Sequence, residues 1–107
     1  MTPTINIRPI KEWLPQLNNP LLIAGPCSLE SEEQTIETAK LLAKDHRVFV
    51  FRGGIWKPRT RPGTFEGVGS VGLQWLKRVK EETGLPVSTE VANALHTEEA
   101  LKNGVDV

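Results

Sequence analysis

The 107-residue sequence has little cysteine, no excess of either charge and no long apolar run. Its single cysteine excludes an internal disulfide bond. Its 13 basic and 13 acidic side chains give a formal net charge of zero, so there is no general attraction to nucleic acid or to an anionic membrane. No apolar run approaches the roughly 18 residues of a membrane span, and the N-terminus lacks the apolar core of a signal peptide. We therefore expect a cytoplasmic globular protein in which anion binding depends on local clusters of charge.

From Leu21 onward, short apolar segments alternate with helical patterns. The predicted strands are residues 21–25, 48–51 and 86–91, and the predicted helices are residues 31–44, 68–83 and 97–103. This alternation predicts a parallel α/β sheet with right-handed crossovers. Because the first two strands are apolar throughout, we expect them to be buried on both faces. Residues 1–20 show no clear period and are predicted to form a leader on the surface, so the repeating domain is predicted over residues 21–107.

The C-terminal residues 105–107 resemble the first residues of a fourth strand. Three βα units and the start of a fourth are consistent with an open doubly wound sheet and with a βα barrel. Neither architecture closes with so few units, since a complete barrel needs about 250 residues. An apolar sheet edge left unpaired also favours association. We therefore expect the chain to be a fragment of a longer protein.

A cluster of cations follows the second predicted strand. Four basic residues lie within ten positions: Arg52, Lys57, Arg59 and Arg61. Gly53 and Gly54 would let the backbone approach a ligand closely, and Pro58 would stiffen the turn. Arginine can hold a phosphate or carboxylate with two hydrogen bonds, and lysine supplies a compact charge. Because ligands bind at the carboxyl ends of parallel strands, this loop is predicted to be an anion site rather than a solvated basic loop.

Two other candidate residues follow the first and third strands. Cys27 could be a buried apolar side chain, a thiolate metal ligand or a nucleophile, and the sequence pattern leaves these open. Glu90 could be a general base, a residue that orients a ligand or the ion-pair partner of Arg52. Trp56 is predicted to pack beneath the basic loop, and His96 is assigned no catalytic role.

An ordered set of motifs carries a resemblance to a known family. The chain resembles the N-terminal part of 3-deoxy-7-phosphoheptulonate (DAHP) synthases, of the compact bacterial type related to 3-deoxy-8-phosphooctulonate synthase. The matching segments are residues 23–28 (IAGPCS), 51–54 (FRGG), 57–60 (KPRT), 65–67 (FEG), 72–73 (GL) and 86–91 (PVSTEV). The resemblance implies the first part of a (β/α)₈ TIM barrel. Residues 61–64 (RPGT) depart from the usual continuation of this loop, so Arg61 is assigned no role.

The resemblance also implies an activity. Members of the family condense phosphoenolpyruvate with erythrose 4-phosphate to give 3-deoxy-D-arabino-heptulosonate 7-phosphate and phosphate, which opens the shikimate pathway. It implies that Cys27 is one ligand of a divalent metal, left open among Mn, Fe, Co and Zn, and that the other ligands come later in the family's chain. It further implies a homo-oligomeric full-length enzyme.

Each site residue takes an expected role from this resemblance. Arg52 and Lys57 are expected to hold phosphoenolpyruvate, with Lys57 as the catalytic residue. Glu90 is expected near the same pocket. The residues expected to seat erythrose 4-phosphate are Lys57, Pro58, Arg59 and Thr60.

Two alternative functions are compatible with the sequence. One is an octulosonate synthase-like enzyme. Residues 57–60 (KPRT) disfavour it, because the loop of that enzyme usually carries Lys-Ala-Asn-Arg. The other is a non-catalytic half-barrel that binds anions and self-associates. Because most of the expected metal ligands are absent, the 107-residue chain is predicted to have no synthase activity alone.

Overall fold

The computed structural model describes residues 8–13, 21–57 and 65–107. Within these ranges three β-strands alternate with helices, which confirms the predicted α/β class. The elements in chain order are α1 (Ile10–Trp13), β1 (Leu22–Ala24), α2 (Glu32–Ala43), β2 (Val48–Arg52), α3 (Val71–Thr83), β3 (Val87–Ser88) and α4 (Ala94–Lys102). None of the helices in these ranges has both the length and the apolar character that crossing a membrane would require.

The three strands form one parallel sheet in the order β1-β2-β3. Leu22 is paired with Val48, and Phe51 is paired with Val87. Helix α2 connects β1 to β2, and α3 connects β2 to β3. Strands that follow one another in the sheet in chain order, each joined by a helix, are the arrangement of the first units of a βα barrel.

The hydrophobic core extends beyond the end of β2 into the loop that follows. Phe51 in the strand and Ile55 in the loop are both fully buried. The buried members of the core are Leu29, Ile36, Ala39, Phe51, Ile55, Leu73, Leu76, Val79, Val87 and Ala100. Gly72 of α3 lies so close to Ile55 that a Cβ atom there would be 2.3 Å from Ile55 Cγ2. This packing anchors the first residues of the basic loop to the interior.

Helix α2 begins as the sequence predicts. The Ser31 hydroxyl accepts a hydrogen bond from the Gln34 N–H (3.1 Å), so Ser31 is the N-cap. The Gln34 side chain reaches back to the N–H of Glu30 (3.1 Å) rather than to that of Ser31. The reciprocal capping is therefore present, displaced by one residue from the usual capping box.

Helix α3 ends as predicted at Gly84. This glycine has φ +76°, and its N–H donates to the Lys80 carbonyl (2.9 Å). A left-handed residue at this position favours glycine because other side chains meet steric strain there.

The predicted burial of β1 on both faces is wrong. Leu22 is 42% exposed and Ile23 is 36% exposed. Strand β1 is at the edge of the sheet and pairs only with β2 among the described residues. Apolar composition predicted a strand here correctly, but burial depends on neighbours that the local pattern does not specify.

The last part of the chain also departs from the predicted bounds. Strand β3 covers only Val87–Ser88, and α4 begins at Ala94, earlier than predicted. The earlier start follows from Asn93, whose side chain accepts a hydrogen bond from the N–H of His96 (2.9 Å) and caps the helix.

Residues 105–107 are not assigned to a strand, although they lie beside β3. The Val107 N–H donates to the Val87 carbonyl (3.2 Å), and the Thr89 N–H donates to the Val107 carbonyl (3.2 Å). These are backbone bonds of the kind that a fourth parallel strand would make. The segment therefore pairs with β3 as the predicted fourth strand would, but it is not itself a strand among the described residues.

Most of the predicted leader lies outside the described residues. Within it, Ile10–Trp13 form a one-turn helix that the sequence pattern did not indicate. The boundary between leader and domain remains a prediction.

Candidate active site

The candidate site lies at the carboxyl edge of the sheet. Arg52 is the last residue of β2, and Glu90 lies two residues beyond the end of β3. Cys27 lies three residues beyond the end of β1. Because the strands are parallel, their carboxyl ends meet at one edge, and the loops that follow them are brought together there.

One carboxylate oxygen joins the two described cations of the basic loop. Glu90 Oε1 accepts a hydrogen bond from Lys57 Nζ at 2.6 Å and another from Arg52 Nη2 at 2.8 Å. The ion-pair partnership of Glu90 and Arg52, one of the alternatives considered for Glu90, is therefore present. The three side chains together carry one net positive charge at the end of the sheet.

Lys57 is a buried cation. Only 8% of its surface is exposed. Its hydrogen bond to Glu90 raises the pKa of Lys57 above the ordinary 10.5, although desolvation acts in the opposite direction, and the nearby Cys27 side chain adds to the rise. The hydrogen bond from Lys57 is also the main cause that lowers the pKa of Glu90, against the effect of burial. Both groups are consequently charged at neutral pH.

Arg52 also contacts the loop after β1. Its Nη1 donates to the Pro26 carbonyl at 3.3 Å. At Gly25, one residue earlier, a Cβ atom would lie 1.8 Å from the Arg52 carbonyl oxygen, so the two backbones are in direct contact. Glycine at position 25 is required by this close approach.

The paired glycines both lie against the protein itself. The predicted approach of their backbone to a ligand stays a prediction. A Cβ atom at Gly53 would lie 2.5 Å from Leu29 Cδ2, and one at Gly54 would lie 2.4 Å from the Cys27 carbonyl oxygen. The Gly53 carbonyl also accepts a hydrogen bond from Thr89 Oγ1 (2.8 Å). The glycines therefore allow the loops after β1, β2 and β3 to pack closely beneath the three charged side chains.

Cys27 is exposed, so its interpretation as a buried apolar side chain is wrong. Cys27 and Lys57 lie on the same glycine: the Cys27 carbonyl oxygen and Lys57 Cδ are the two atoms nearest to a Cβ placed at Gly54. In the described ranges, no group of three or more His, Cys, Asp or Glu side chains is arranged to hold a metal ion. Cys27 can thus offer one thiolate ligand, but the described residues do not form a complete metal site.

The remaining predicted site residues, Pro58, Arg59 and Thr60, lie outside the described residues, as does Arg61. The described part of the loop ends at Lys57, whose N–H donates to the Glu66 carbonyl (2.7 Å). This bond joins the residues just before and just after the segment 58–64.

A ring contact that the sequence did not indicate lies beside the site. The Trp56 indole stacks on the His96 imidazole, with ring centroids 4.0 Å apart and an interplanar angle of 3°. Trp56 is half-buried and packs against the core, in agreement with the prediction that it supports the loop. The two residues are forty positions apart, and neither belongs to a periodic pattern that would have predicted their contact.

The fold and the site together define the first part of a parallel βα barrel, with a buried lysine, an arginine and a glutamate at the carboxyl edge. The profile of the DAHP synthetase I family matches residues 16–104. The chain belongs to this family.

Individual relatives agree with this assignment. The chain is 46% identical over 69 residues to a phospho-2-dehydro-3-deoxyheptonate aldolase of Thermotoga maritima, an alignment that covers 64% of this chain and 20% of the relative. It is 42% identical over 82 residues to a 2-dehydro-3-deoxyphosphooctonate aldolase of Vesicomyosocius okutanii, covering 70% and 30% of the two chains. A Paraburkholderia xenovorans protein of the latter name is 40% identical over 92 residues, covering 80% and 32%.

A solved structure supports the fold. The crystal structure of the phospho-2-dehydro-3-deoxyheptonate aldolase (DAHP synthase) of Thermotoga maritima superposes with a TM-score of 0.67 and 35% sequence identity. The superposition covers 78% of this chain and 24% of the other. The chain therefore spans between a fifth and a third of the length of the relatives that it matches.

Proposed function

We propose that this chain forms the phosphoenolpyruvate-binding first part of a barrel transferase that condenses phosphoenolpyruvate with erythrose 4-phosphate. The products are 3-deoxy-D-arabino-heptulosonate 7-phosphate and phosphate, in the first step of the shikimate pathway. The observation that carries the proposal is the convergence of Arg52 and buried Lys57 on one carboxylate at the carboxyl edge of the sheet. We also propose a cytoplasmic, homo-oligomeric full-length enzyme.

The charges of the site suit phosphoenolpyruvate, which carries a phosphate and a carboxylate. Arg52 can bind one of these groups through two parallel N–H bonds, and Lys57 can bind as a compact charge. Lys57 is protonated at neutral pH although it is buried, because its hydrogen bond to Glu90 outweighs desolvation and keeps its pKa above the ordinary 10.5. Glu90 holds both cations in place before the ligand arrives, which reduces the ordering that binding requires.

The reaction itself needs charge stabilisation more than covalent help from the protein. The enol carbon of phosphoenolpyruvate attacks the aldehyde carbon, water adds to the carbon that bears the phosphate, and the C–O bond to phosphate then breaks. Negative charge stays on the phosphate and carboxylate while positive charge develops on the neighbouring carbon. Lys57 and Arg52 would hold these anionic groups in a fixed geometry and stabilise the departing phosphate.

Cys27 would supply one thiolate ligand to a divalent metal, of which Mn, Fe, Co and Zn are all candidates. When bound, such a metal would polarise the sugar aldehyde as a Lewis acid. The exposed Cys27 thiol at the carboxyl edge is compatible with this role.

The sugar phosphate is assigned to the residues that follow Lys57. We propose that Lys57, Pro58, Arg59 and Thr60 seat erythrose 4-phosphate. The support is the Lys-Pro-Arg-Thr motif and its position directly after the described site.

A second candidate function is condensation of phosphoenolpyruvate with a longer sugar phosphate. The octulosonate relatives favour it, since they are 42% and 40% identical to this chain. An eight-carbon product requires a five-carbon aldehyde, because phosphoenolpyruvate supplies three carbons, whereas a seven-carbon product requires a four-carbon aldehyde. The Lys-Pro-Arg-Thr motif at residues 57–60 favours the four-carbon substrate.

A chimera tests the choice of aldehyde. Residues 16–104 would replace the matching segment of the Thermotoga maritima relative, and the product formed from each aldehyde phosphate would be identified by mass spectrometry. We expect the seven-carbon product from erythrose 4-phosphate and loss of that product in the Lys57→Met chimera. Formation of the eight-carbon product alone would favour the second candidate.

The 107-residue chain by itself is proposed to be inactive. Among the described residues, no group of three or more His, Cys, Asp or Glu side chains could hold a metal ion. The purified chain would be incubated with each divalent metal, phosphoenolpyruvate and erythrose 4-phosphate, and phosphate release would be measured. Turnover above the level of a Lys57→Met control would contradict the proposal.

A further inference from the structure

The stacked pair formed by Trp56 and His96 joins the loop that bears Lys57 to the first turn of α4, which directly follows the loop that bears Glu90. Trp56 directly precedes Lys57, and its ring lies 4.0 Å from that of His96. His96 Nδ1 accepts a hydrogen bond from the Ala92 N–H at 3.1 Å, two residues after Glu90. The stack therefore begins one residue before Lys57, and its histidine is bonded to the backbone two residues after Glu90.

We propose that His96 is a positioning residue that holds Lys57 against Glu90 by stacking on Trp56. The imidazole is fixed on its own side by the backbone of the β3–α4 loop, so its ring plane is set before it meets the indole. The proposal rests on the proposed function, because the consequence of this positioning is affinity for phosphoenolpyruvate.

The buried lysine makes this positioning necessary. A single carboxylate oxygen is shared by Lys57 and by Arg52 of β2. A displacement of the Glu90 loop would therefore lengthen both contacts, and a displacement of the loop after β2 would lengthen the one from Lys57. The first residues of the loop after β2 are held by Ile55 in the core and by the bond from Thr89 Oγ1 to the Gly53 carbonyl, and its Lys57 N–H donates to the Glu66 carbonyl. Of these contacts, only the stack starts at the residue next to Lys57, and it connects to the loop that bears Glu90 through the bond between the Ala92 N–H and His96.

Three variants of His96 separate stacking from hydrogen bonding. His96→Ala removes both, His96→Phe keeps an aromatic face without Nδ1, and His96→Gln keeps a side-chain acceptor without a ring. The matched control is His46→Ala, at an exposed histidine beyond the end of α2. Phosphoenolpyruvate affinity would be measured by calorimetry, and the amide exchange rate of Lys57 by nuclear magnetic resonance.

We expect His96→Ala and His96→Gln to weaken phosphoenolpyruvate binding by about two- to tenfold, the range that an aromatic pair supports. Exchange at the Lys57 amide should accelerate in both variants, while exchange in the middle of α2 stays unchanged. His96→Phe should restore both measurements, and His46→Ala should alter neither.

A different pattern would overturn the proposal. Rescue by His96→Gln but not by His96→Phe would show that His96 acts only as the hydrogen-bond acceptor of the Ala92 N–H. Equal acceleration of exchange throughout the chain would show a general loss of stability instead of positioning. If wild-type chain does not bind phosphoenolpyruvate, the proposed function fails, whereas unchanged Lys57 exchange in His96→Ala refutes the positioning role separately.

Discussion

Removing the charge of Glu90 should destabilise the fold by a predictable amount. The Glu90→Gln substitution keeps the size of the side chain and one carbonyl acceptor, but it leaves Lys57 buried without a counter-charge. Exposed ion pairs contribute about 0.2–1 kcal/mol, and hydrogen bonds to charged groups contribute about 1.5–3 kcal/mol. The Lys57 side chain is 9% exposed and that of Glu90 is 44% exposed, which places this pair between the two classes. We therefore expect the free energy of unfolding to fall by about 1–2 kcal/mol.

The assay is urea unfolding at pH 7 followed by far-UV circular dichroism. The matched control is Glu98→Gln, which removes a carboxylate from an exposed pair with Lys102, where the side chains are 61% and 71% exposed. The control should change the free energy by less than about 0.5 kcal/mol. If Glu90→Gln costs no more than Glu98→Gln, the reasoning that the buried lysine depends on Glu90 is refuted.

The ion pair between Lys57 and Glu90 also predicts that the stability of the fold depends on pH. Because the pKa of Glu90 is lowered in the folded state, its contribution is fully present above the ordinary value of 4.5 and is lost as pH falls through the lower folded value. The stability difference between wild type and Glu90→Gln should therefore shrink as pH falls below about 4.5. A difference that stays constant from neutral pH down into this acid range would contradict the assignment of the shift to Glu90.

Two further substitutions test the packing that positions the site. Gly25→Ala places a Cβ atom 1.8 Å from the Arg52 carbonyl oxygen, whereas Gly84→Ala places one in open space at φ +76°. Left-handed strain alone should lower the free energy of unfolding of Gly84→Ala by roughly 1–2 kcal/mol. Thermal unfolding should show a larger decrease for Gly25→Ala, and equal decreases would contradict the close backbone contact. Ile55→Ala removes a fully buried side chain beneath the basic loop and should cost about 2–5 kcal/mol in urea unfolding. The control is Leu41→Ala, at a side chain that is 66% exposed. If both substitutions lower the free energy of unfolding by a similar amount, Ile55 does not anchor the loop.

Local signals in the sequence predicted most of the fold. The Ser31 cap and the glycine at position 84 each act through neighbouring backbone groups, so the ends of α2 and α3 could be placed from a few residues. The exposure of β1 could not be predicted, because it depends on which elements cover Leu22 and Ile23. The early start of α4 was missed because Asn93 was not recognised as a cap.

The sequence predicted which residues meet at the candidate site, but not how they contact one another. Arg52, Lys57 and Glu90 follow apolar strands, and parallel strands bring such residues to one edge. The sequence could not show that one Glu90 oxygen joins both cations, because this geometry depends on the path of the loop. The role of Gly54 beneath the site and the contact of Trp56 with His96 depend on residues distant in the chain. The roles of Cys27 and of residues 58–60 remain predictions.

The central claim is that Lys57 and Arg52 bind phosphoenolpyruvate, and calorimetric titration of the 107-residue chain tests it most directly. Lys57→Met removes the buried charge, and Lys77→Met removes an exposed charge on α3 as a matched control. A hydrogen bond to a charged group contributes about 1.5–3 kcal/mol, so Lys57→Met should weaken binding by about tenfold or more. Lys77→Met should bind as wild type does. Equal affinities of Lys57→Met and wild type, or no binding by wild type, would contradict the claim.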